Sequence, residues 1–336
     1  MKIVVDNKIP YIRETLAKIT DNVVYMSGNE INSETVKDAD ALITRTRTRC
    51  DRQLLEGSRV KFIGTATIGF DHIDTEFCNK AGIVWKNCPG CNAGAVEQYV
   101  HAVLTLLKEE KGLKLENVCM GIIGVGHVGS RIMSLAKKLG MKIMLNDPPR
   151  KDNGESEFVD LYTIAAECDV ITFHTPLIKE GKYKTFHLAD KDFFASLRKK
   201  PVIINTSRGE VVDTSAILDA INEKRVSEVI IDVWENEPHI NLDLLHKVYV
   251  GTPHIAGYSS DGKLNATIMT LKSLCEFFHL DVDINLSLDE DLREENIIDN
   301  KDDILSCYNP KNDYSVLLSH PEDFEKIRGN YKLRKE

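Results

Sequence analysis

Short apolar runs rich in β-branched residues recur along the chain at 2 to 6, 41 to 46, 60 to 65, 83 to 86, 118 to 124, 142 to 146, 170 to 173, 201 to 205, 228 to 233 and 248 to 251, with helical spacing between them. Runs of this length read as buried strands, and their alternation with helices predicts parallel sheets joined by crossover helices. Pro10 is placed to open an early helix at its first position, Asp71 to cap a helix over 72 to 80, and Asp213 to cap one over 214 to 223. Two longer proline-free patterns, Ala93 to Lys111 and about 259 to 280, predict continuous helices. Four of the strand runs lie before residue 92 and six lie between 93 and 255. The expected fold class is therefore α/β, with two lobes built on parallel sheets.

Length supports that division, because 336 residues exceed what one core usually organises. The net charge of -9 and pI near 5.7 argue against nucleic acid or an anionic membrane surface as the main partner, so an anionic ligand must be gathered by a local basic pocket. Eight cysteines in a chain this long need no disulfide framework, no signal-peptide pattern precedes the first strand, and no run reaches the length of a membrane span. A cytoplasmic location is expected. Between Asp281 and Asp303 ten acidic residues face two basic ones, which reads as a solvated stretch. The apolar residues Tyr314, Val316, Leu317, Leu318, Phe324, Ile327 and Tyr331 that follow are enough to dock on something, a second subunit included.

The run 118 to 123 leads into Gly124-Val-Gly126-His127-Val128-Gly129, and a helix with Ile132, Leu135, Ala136 and Leu139 on one face follows. Strand before, helix after and a second strand ending in Asp147 are the context that a dinucleotide fingerprint demands. Gly124 suits the tight turn, Gly126 close approach to a pyrophosphate, and Gly129 helix-to-strand packing. Asp147 would accept from the ribose hydroxyls and repel a 2'-phosphate, favouring NAD; Arg150 is the counter-signal.

Three later strand ends carry polar segments: Asn205-Thr206-Ser207-Arg208-Gly209, Asp232-Val-Trp-Glu-Asn-Glu237-Pro238 and Thr252-Pro-His254-Ile-Ala-Gly257. Oxidising an alcohol beside a carboxylate needs a base for the hydroxyl proton, a cation for the carboxylate and a partner that sets the state of the base. His254, Arg208 and Glu237 fit those roles, with Glu235 a rival carboxylate that spacing leaves open. Asp232 ends its strand where a nicotinamide carboxamide would lie. His72, His174 and His187 show no metal-ligand spacing, and Cys88-Pro-Gly-Cys91 lacks a second pair, so no metal is expected.

Taken together, these motifs resemble the D-isomer-specific 2-hydroxyacid dehydrogenase family, through about 280 residues. Phe62-Ile-Gly-Thr-Ala-Thr67, Pro89-Gly-Cys-Asn-Ala93, Asn146-Asp-Pro-Pro-Arg150, Thr172-Phe-His-Thr-Pro-Leu177, His254-Ile-Ala-Gly-Tyr258 and Phe324-Glu-Lys-Ile-Arg-Gly-Asn-Tyr331 are similar to a branch acting on a phosphorylated four-carbon 2-hydroxy acid. The resemblance implies two Rossmann-like lobes: a flavodoxin-like substrate-binding domain from 1–92 and 256–280, and an NAD-binding domain from 93–255. A small α+β dimerisation segment over 281–336 and a homodimer would complete the chain, although only about its last 13 residues carry the likeness. It further implies that Thr175, Thr206, Ser207, Arg208 and Gly257 join Gly124, Gly126, His127, Val128, Gly129, Asp147 and Asp232 in holding NAD, while Thr46, Thr67 and Tyr258 contact substrate. For the phosphate, Arg45, Arg47 and Arg49 alternate along a strand-like stretch and would share one face, with Arg45 nearest. A dehydrogenase for another acid, such as 3-phosphoglycerate, would share every reacting residue. A co-regulator that senses NAD without turnover would share the fold, though no basic or low-complexity recruiting tail accompanies it.

Overall fold

A computed structural model describes residues 1–286 and 304–336. The chain forms two compact units: Met1–Asn92 with the segment beginning at Ser259 and the final Lys335–Glu336, and Ala93–Tyr258 with the helices preceding Arg334.

In the first unit β1 (Ile3–Asp6), β2 (Val23–Met26), β3 (Ala41–Thr44), β4 (Phe62–Thr65) and β5 (Val84–Lys86) form one parallel sheet in the order β2-β1-β3-β4-β5. That is the flavodoxin-like order. The three central strands are buried at every residue, which is why they read as continuous apolar runs. Helix Ser260–Phe278, capped by Ser259, covers the sheet, and Phe277 brings its ring within 5.3 Å of Phe62.

The second unit holds β6 (Cys119–Ile123), β7 (Lys142–Asn146), β8 (Val170–Phe173), β9 (Val202–Asn205), β10 (Glu228–Ile231) and β11 (Val250–Gly251), parallel in the order β11-β10-β9-β8-β6-β7. The order reverses between β6 and β8, the switch point where α/β sheets bind ligands beyond the strands' carboxyl ends. Helix Ala93–Lys111 has the bounds the sequence predicts and buries Tyr99 fully. The helices Ile304–Cys307, Pro310–Ser319 and Phe324–Gly329 close over this same unit. Leu317 and Phe324 lie fully buried in its core, and the Tyr314 hydroxyl hydrogen-bonds the carbonyls of Leu245 and Val248 at 2.8 and 2.9 Å. The apolar residues near the end of the chain thus dock on its own nucleotide-motif unit. Part of the acidic stretch, 287–303, lies outside the described residues.

Four local expectations are corrected. The sequence reading passes over β2, an edge strand with Val24 36% exposed, because a half-exposed four-residue run carries little apolar signal. The strand expected over 41 to 46 ends at Thr44, and a turn follows. Arg45, Arg47 and Arg49 therefore do not share a strand face: Arg45 turns to the buried carboxylate of Asp6 and Arg49 to Asp51. The alternating threonines Thr44, Thr46 and Thr48 mimic a strand pattern. Pro10 lies ahead of its helix, which starts at Ile12 after a left-handed Tyr11 with φ of 61°. The cap at Asp71 moves to Asp74, because Asp71 and His72 lie in a turn closed by the Ile73 amide on the Phe70 carbonyl, and Ile73 then bridges to Cys50 before the helix begins.

Candidate active site

The turn after β6 has the local geometry that its glycines predict. Gly124 has φ of 85°, and a Cβ there would stand 2.7 Å from the carbonyl oxygen of His174; a Cβ on Gly129 would lie 2.0 Å from the carbonyl oxygen of Gly124. Gly126 differs, since a Cβ there would meet nothing within 4 Å. It is also the N-cap of helix His127–Lys138 and brings no capping side chain, so the first-turn amides beginning at His127 and Val128 offer donors for an anion. The Asp147 carboxylate is held beside this turn, accepting from the amides of Val125 at 2.9 Å and Arg150 at 3.2 Å. Arg150 is occupied by Glu155, by the Val125 carbonyl and by the Phe158 ring, which weakens its case as a 2'-phosphate ligand. After β8 the Thr175 hydroxyl oxygen is buried with no hydrogen-bond partner among the described residues, as a position awaiting a polar ligand would be. These features fit a dinucleotide.

His174 beside it is half-buried, and the loss of water around its ring pushes the imidazole down to about 3. Its ring nitrogens meet the hydroxyls of Thr172 at 2.9 Å and Thr206 at 3.3 Å, tying the ends of β8 and β9 together. Ser207 hydrogen-bonds Asn205, and Arg208, half-buried at the start of the turn Gly209–Val211, donates to the Ser207 carbonyl at 2.8 Å.

The imidazole and carboxylate meet. His254 Nδ1 lies 2.8 Å from Glu237 Oε2, while Glu237 Oε1 accepts from the Trp234 amide at 2.9 Å. An ionised carboxylate only accepts, so Nδ1 carries a proton and Nε2 is the nitrogen left to exchange one. Burial pushes Glu237 upward, but the hydrogen bond and charge of His254, the Trp234 amide and the Arg328 guanidinium together hold it below the ordinary carboxylate range. Glu235, the rival, is engaged elsewhere: it binds His187 Nε2 at 2.7 Å and the Thr214 amide at 2.9 Å.

Asp232 holds the loop that presents the imidazole. Its Oδ1 accepts from the Thr252 hydroxyl at 2.6 Å and the Ile255 amide at 2.8 Å, its Oδ2 from the Ala256 amide at 3.0 Å, and its own carbonyl from the His254 amide at 2.7 Å. Tyr99 extends the chain by meeting the Thr252 hydroxyl at 2.9 Å. Burial raises the Asp232 carboxyl despite these donors and the nearby His254. Three donors occupy three of the roughly four lone-pair sites of the carboxylate, which leaves one for a carboxamide N–H. His254 itself has φ of 58°, a conformation that costs on the order of 1–3 kcal/mol and needs such anchoring. Gly257 and Tyr258 follow, and the Tyr258 hydroxyl accepts from Arg328 Nε at 3.2 Å. Sequence reading missed Arg328 and Tyr99, which sit in no polar motif at a strand end, and passed over Trp234, an apolar residue inside one, whose backbone amide is what serves the site.

In the first unit, Thr46 is exposed in the turn after β3, and Thr67 after β4 bonds Thr65 at 2.8 Å and the Gly69 carbonyl at 2.9 Å. Arg45 forks onto Asp6 with its Nε at 3.0 Å and Nη2 at 3.3 Å. Burial pushes His72 down to about 4 against the opposing charge of Asp71, and its Nε2 meets the Thr65 hydroxyl. Cys88 is buried, with its sulfur against the Thr65 and Ala266 carbonyls and the Thr270 hydroxyl.

Residues 94–256 match the family model of the D-isomer specific 2-hydroxyacid dehydrogenase NAD binding domain. Over its whole length the chain is 55% identical to an erythronate-4-phosphate dehydrogenase of Bacteroides fragilis, of which it covers 97%. The chain belongs to the D-isomer-specific 2-hydroxyacid dehydrogenase family. A second relative of the same name, from Escherichia fergusonii, is 40% identical over all of this chain and 92% of its own. Among solved structures, the NAD+-bound 3-phosphoglycerate dehydrogenase of Entamoeba histolytica aligns with a TM-score of 0.70 at 29% identity, covering 86% of this chain and 99% of that one. The D-lactate dehydrogenase of Aquifex aeolicus, complexed with NAD and lactic acid, aligns with a TM-score of 0.69 at 25% identity, covering 83% and 96%. As a member of this family, the chain is an NAD-dependent oxidoreductase.

Proposed function

We propose that the chain oxidises 4-phospho-D-erythronate at C2 to (R)-3-hydroxy-2-oxo-4-phosphooxybutanoate, a step toward pyridoxal 5'-phosphate. The observation that carries this reading is the 2.8 Å contact between His254 and Glu237 beyond β10 and β11, in a chain 55% identical along its length to a relative of that name. Gly124, Gly126, His127, Val128, Gly129 and Asp147 would hold NAD+, which would accept the hydride that leaves C2. His254 Nε2 takes the C2 hydroxyl proton, and Glu237 stabilises the imidazolium that results. Arg208 clamps the carboxylate and polarises the C2 oxygen.

Thr175, Thr206, Ser207, Asp232 and Gly257 would complete the cofactor site, and Arg45, Thr46, Thr67 and Tyr258 would select the phosphorylated acid. The assigned domains are 1–92 with 256–280 for substrate and 93–255 for NAD, with 281–336 serving dimerisation in a cytoplasmic homodimer. Three described helices of that last segment sit on this chain's own second unit, so a dimer contact there would use their outer faces. Val316 is 48% exposed on one of them. Light scattering on the purified protein should give twice the 37.9 kDa chain mass; a monomer at every concentration would exclude the dimer.

NADH formation with 4-phosphoerythronate, 3-phosphoglycerate and unphosphorylated erythronate tests the substrate. The phosphorylated four-carbon acid should show the highest kcat/KM; a preference for 3-phosphoglycerate would move the chain to a different branch of its family.

A further inference from the structure

Helix Phe324–Gly329 sends one cation to the reacting pair. Arg328 Nη1 stands 3.8 Å from Glu237 Oε2, the oxygen that also meets His254, and its Nε donates to the Tyr258 hydroxyl. The Arg328 and Glu237 side chains are only 20% and 17% exposed, and a guanidinium so enclosed is retained only where carboxylates and acceptors surround it. Glu325 Oε1, at 3.7 Å from the same Nη1, is its other ionic partner. Glu237 and Tyr258 together raise Arg328 even though burial works against its charge.

The carboxylate of Glu237 therefore has three restraints: Trp234 on Oε1, and His254 with Arg328 on Oε2. The Trp234 amide is neutral and His254 carries a full charge only when both ring nitrogens are protonated, whereas Arg328 remains charged at every working pH. Charges facing the imidazole are Asp232 at the end of β10 and Glu237 in the loop that follows the same strand; Arg328 is the cation set against them, modulated by Glu325.

We propose that Arg328 is a positioning residue for the reaction, holding Glu237 toward His254 and offsetting part of its charge, so that the imidazole gives up the proton it takes. This rests on the reading of His254 as the base. The two hydrogen bonds, from the Trp234 amide and His254, fix direction, and the cation 3.8 Å away limits how far the carboxylate favours imidazolium. Arg328 also joins Tyr258 to the pair, so one side chain of the C-terminal segment sets two residues of the site.

The test is a pH titration of the His254 imidazole by nitrogen-15 NMR in the full-length, cofactor-free protein, with wild type, Arg328→Gln, Arg328→Lys and Glu325→Gln. Removing the cation in Arg328→Gln should raise the midpoint by roughly 0.5 to 1 pH unit, and the acidic limb of the activity profile should move the same way. Arg328→Lys should restore most of the wild-type midpoint. Glu325→Gln, at a half-buried position, frees Arg328 from its rival and should lower the midpoint, which gives a readout even if Arg328→Gln does not fold. An unchanged or lowered midpoint in Arg328→Gln overturns the proposal, as does an unchanged or raised one in Glu325→Gln. A shift in Arg328→Lys equal to that in Arg328→Gln would assign the effect to packing and overturn it too. Because no substrate is present, failure to oxidise 4-phosphoerythronate would count against the function and leave this result standing.

Discussion

Individual side chains here owe their roles to what surrounds them more than to their type. Glu235 and Glu237 are two residues apart, yet one is spent on His187 and the Thr214 amide and the other faces His254. Spacing left the two open, because both follow the same strand and only the path of the loop separates them. His174 shows a cost of such placement. Burial depresses it from 6.5 to about 3, so the unfolded chain binds a proton that the folded chain refuses. Its contribution to stability is complete above 6.5 and drains as pH falls toward 3. Glu237, held below the ordinary carboxylate range, adds to the same loss at the acidic end of that window. Replacing His174→Gln should flatten the decline in unfolding free energy between about pH 6.5 and pH 4; a slope equal to wild type in urea titrations would refute the assignment. Arg45 carries a second prediction. Its partner Asp6 is fully buried, so Arg45→Ala leaves an uncompensated carboxylate and should destabilise the fold by about 3–5 kcal/mol. Thermal melts of the variant without ligand would detect this, and an unchanged Tm would show that the guanidinium serves substrate alone.

Elements were legible in proportion to their burial. The central strands β1, β3, β4 and β8, buried at every position, announced themselves as apolar runs, and Asp213 capped the helix expected of it. Edge strand β2 and the Arg45 turn were not legible, since half-exposed residues and alternating threonines carry the wrong signal or none. The glycine turn was legible at Gly124 and Gly129, and it can be dissected. Gly129→Ala would drive a Cβ to 2.0 Å from the Gly124 carbonyl oxygen, whereas Gly126→Ala meets nothing within 4 Å. The first should lower the Tm of the cofactor-free protein and the second should leave it unchanged. Both should weaken NAD, Gly126→Ala by at least tenfold in Kd, or about 1.4 kcal/mol, because its methyl group would occupy the approach of the pyrophosphate. Equal NAD affinity in Gly126→Ala and wild type would remove that glycine from the cofactor site.

For the molecule as a whole, the reaction class came from three polar segments at strand ends, while the residues that support them came only from the fold. Tyr99, Thr252 and Asp232 form a buried hydrogen-bonded chain under the His254 loop, and Arg328 arrives from a helix more than seventy residues further along. Long-range partners of this kind leave no local pattern, so sequence periodicity could not show them. Substrate choice lies further from the sequence still, since the roles proposed for Arg208, Glu237 and His254 would serve any acid of the family. The most direct test of the account is NADH formation from 4-phosphoerythronate by wild type and His254→Ala, measured alongside NAD affinity and Tm. The account predicts a loss of roughly 10² to 10⁴-fold in kcat, with cofactor affinity and stability close to wild type. A fully active His254→Ala enzyme would contradict it.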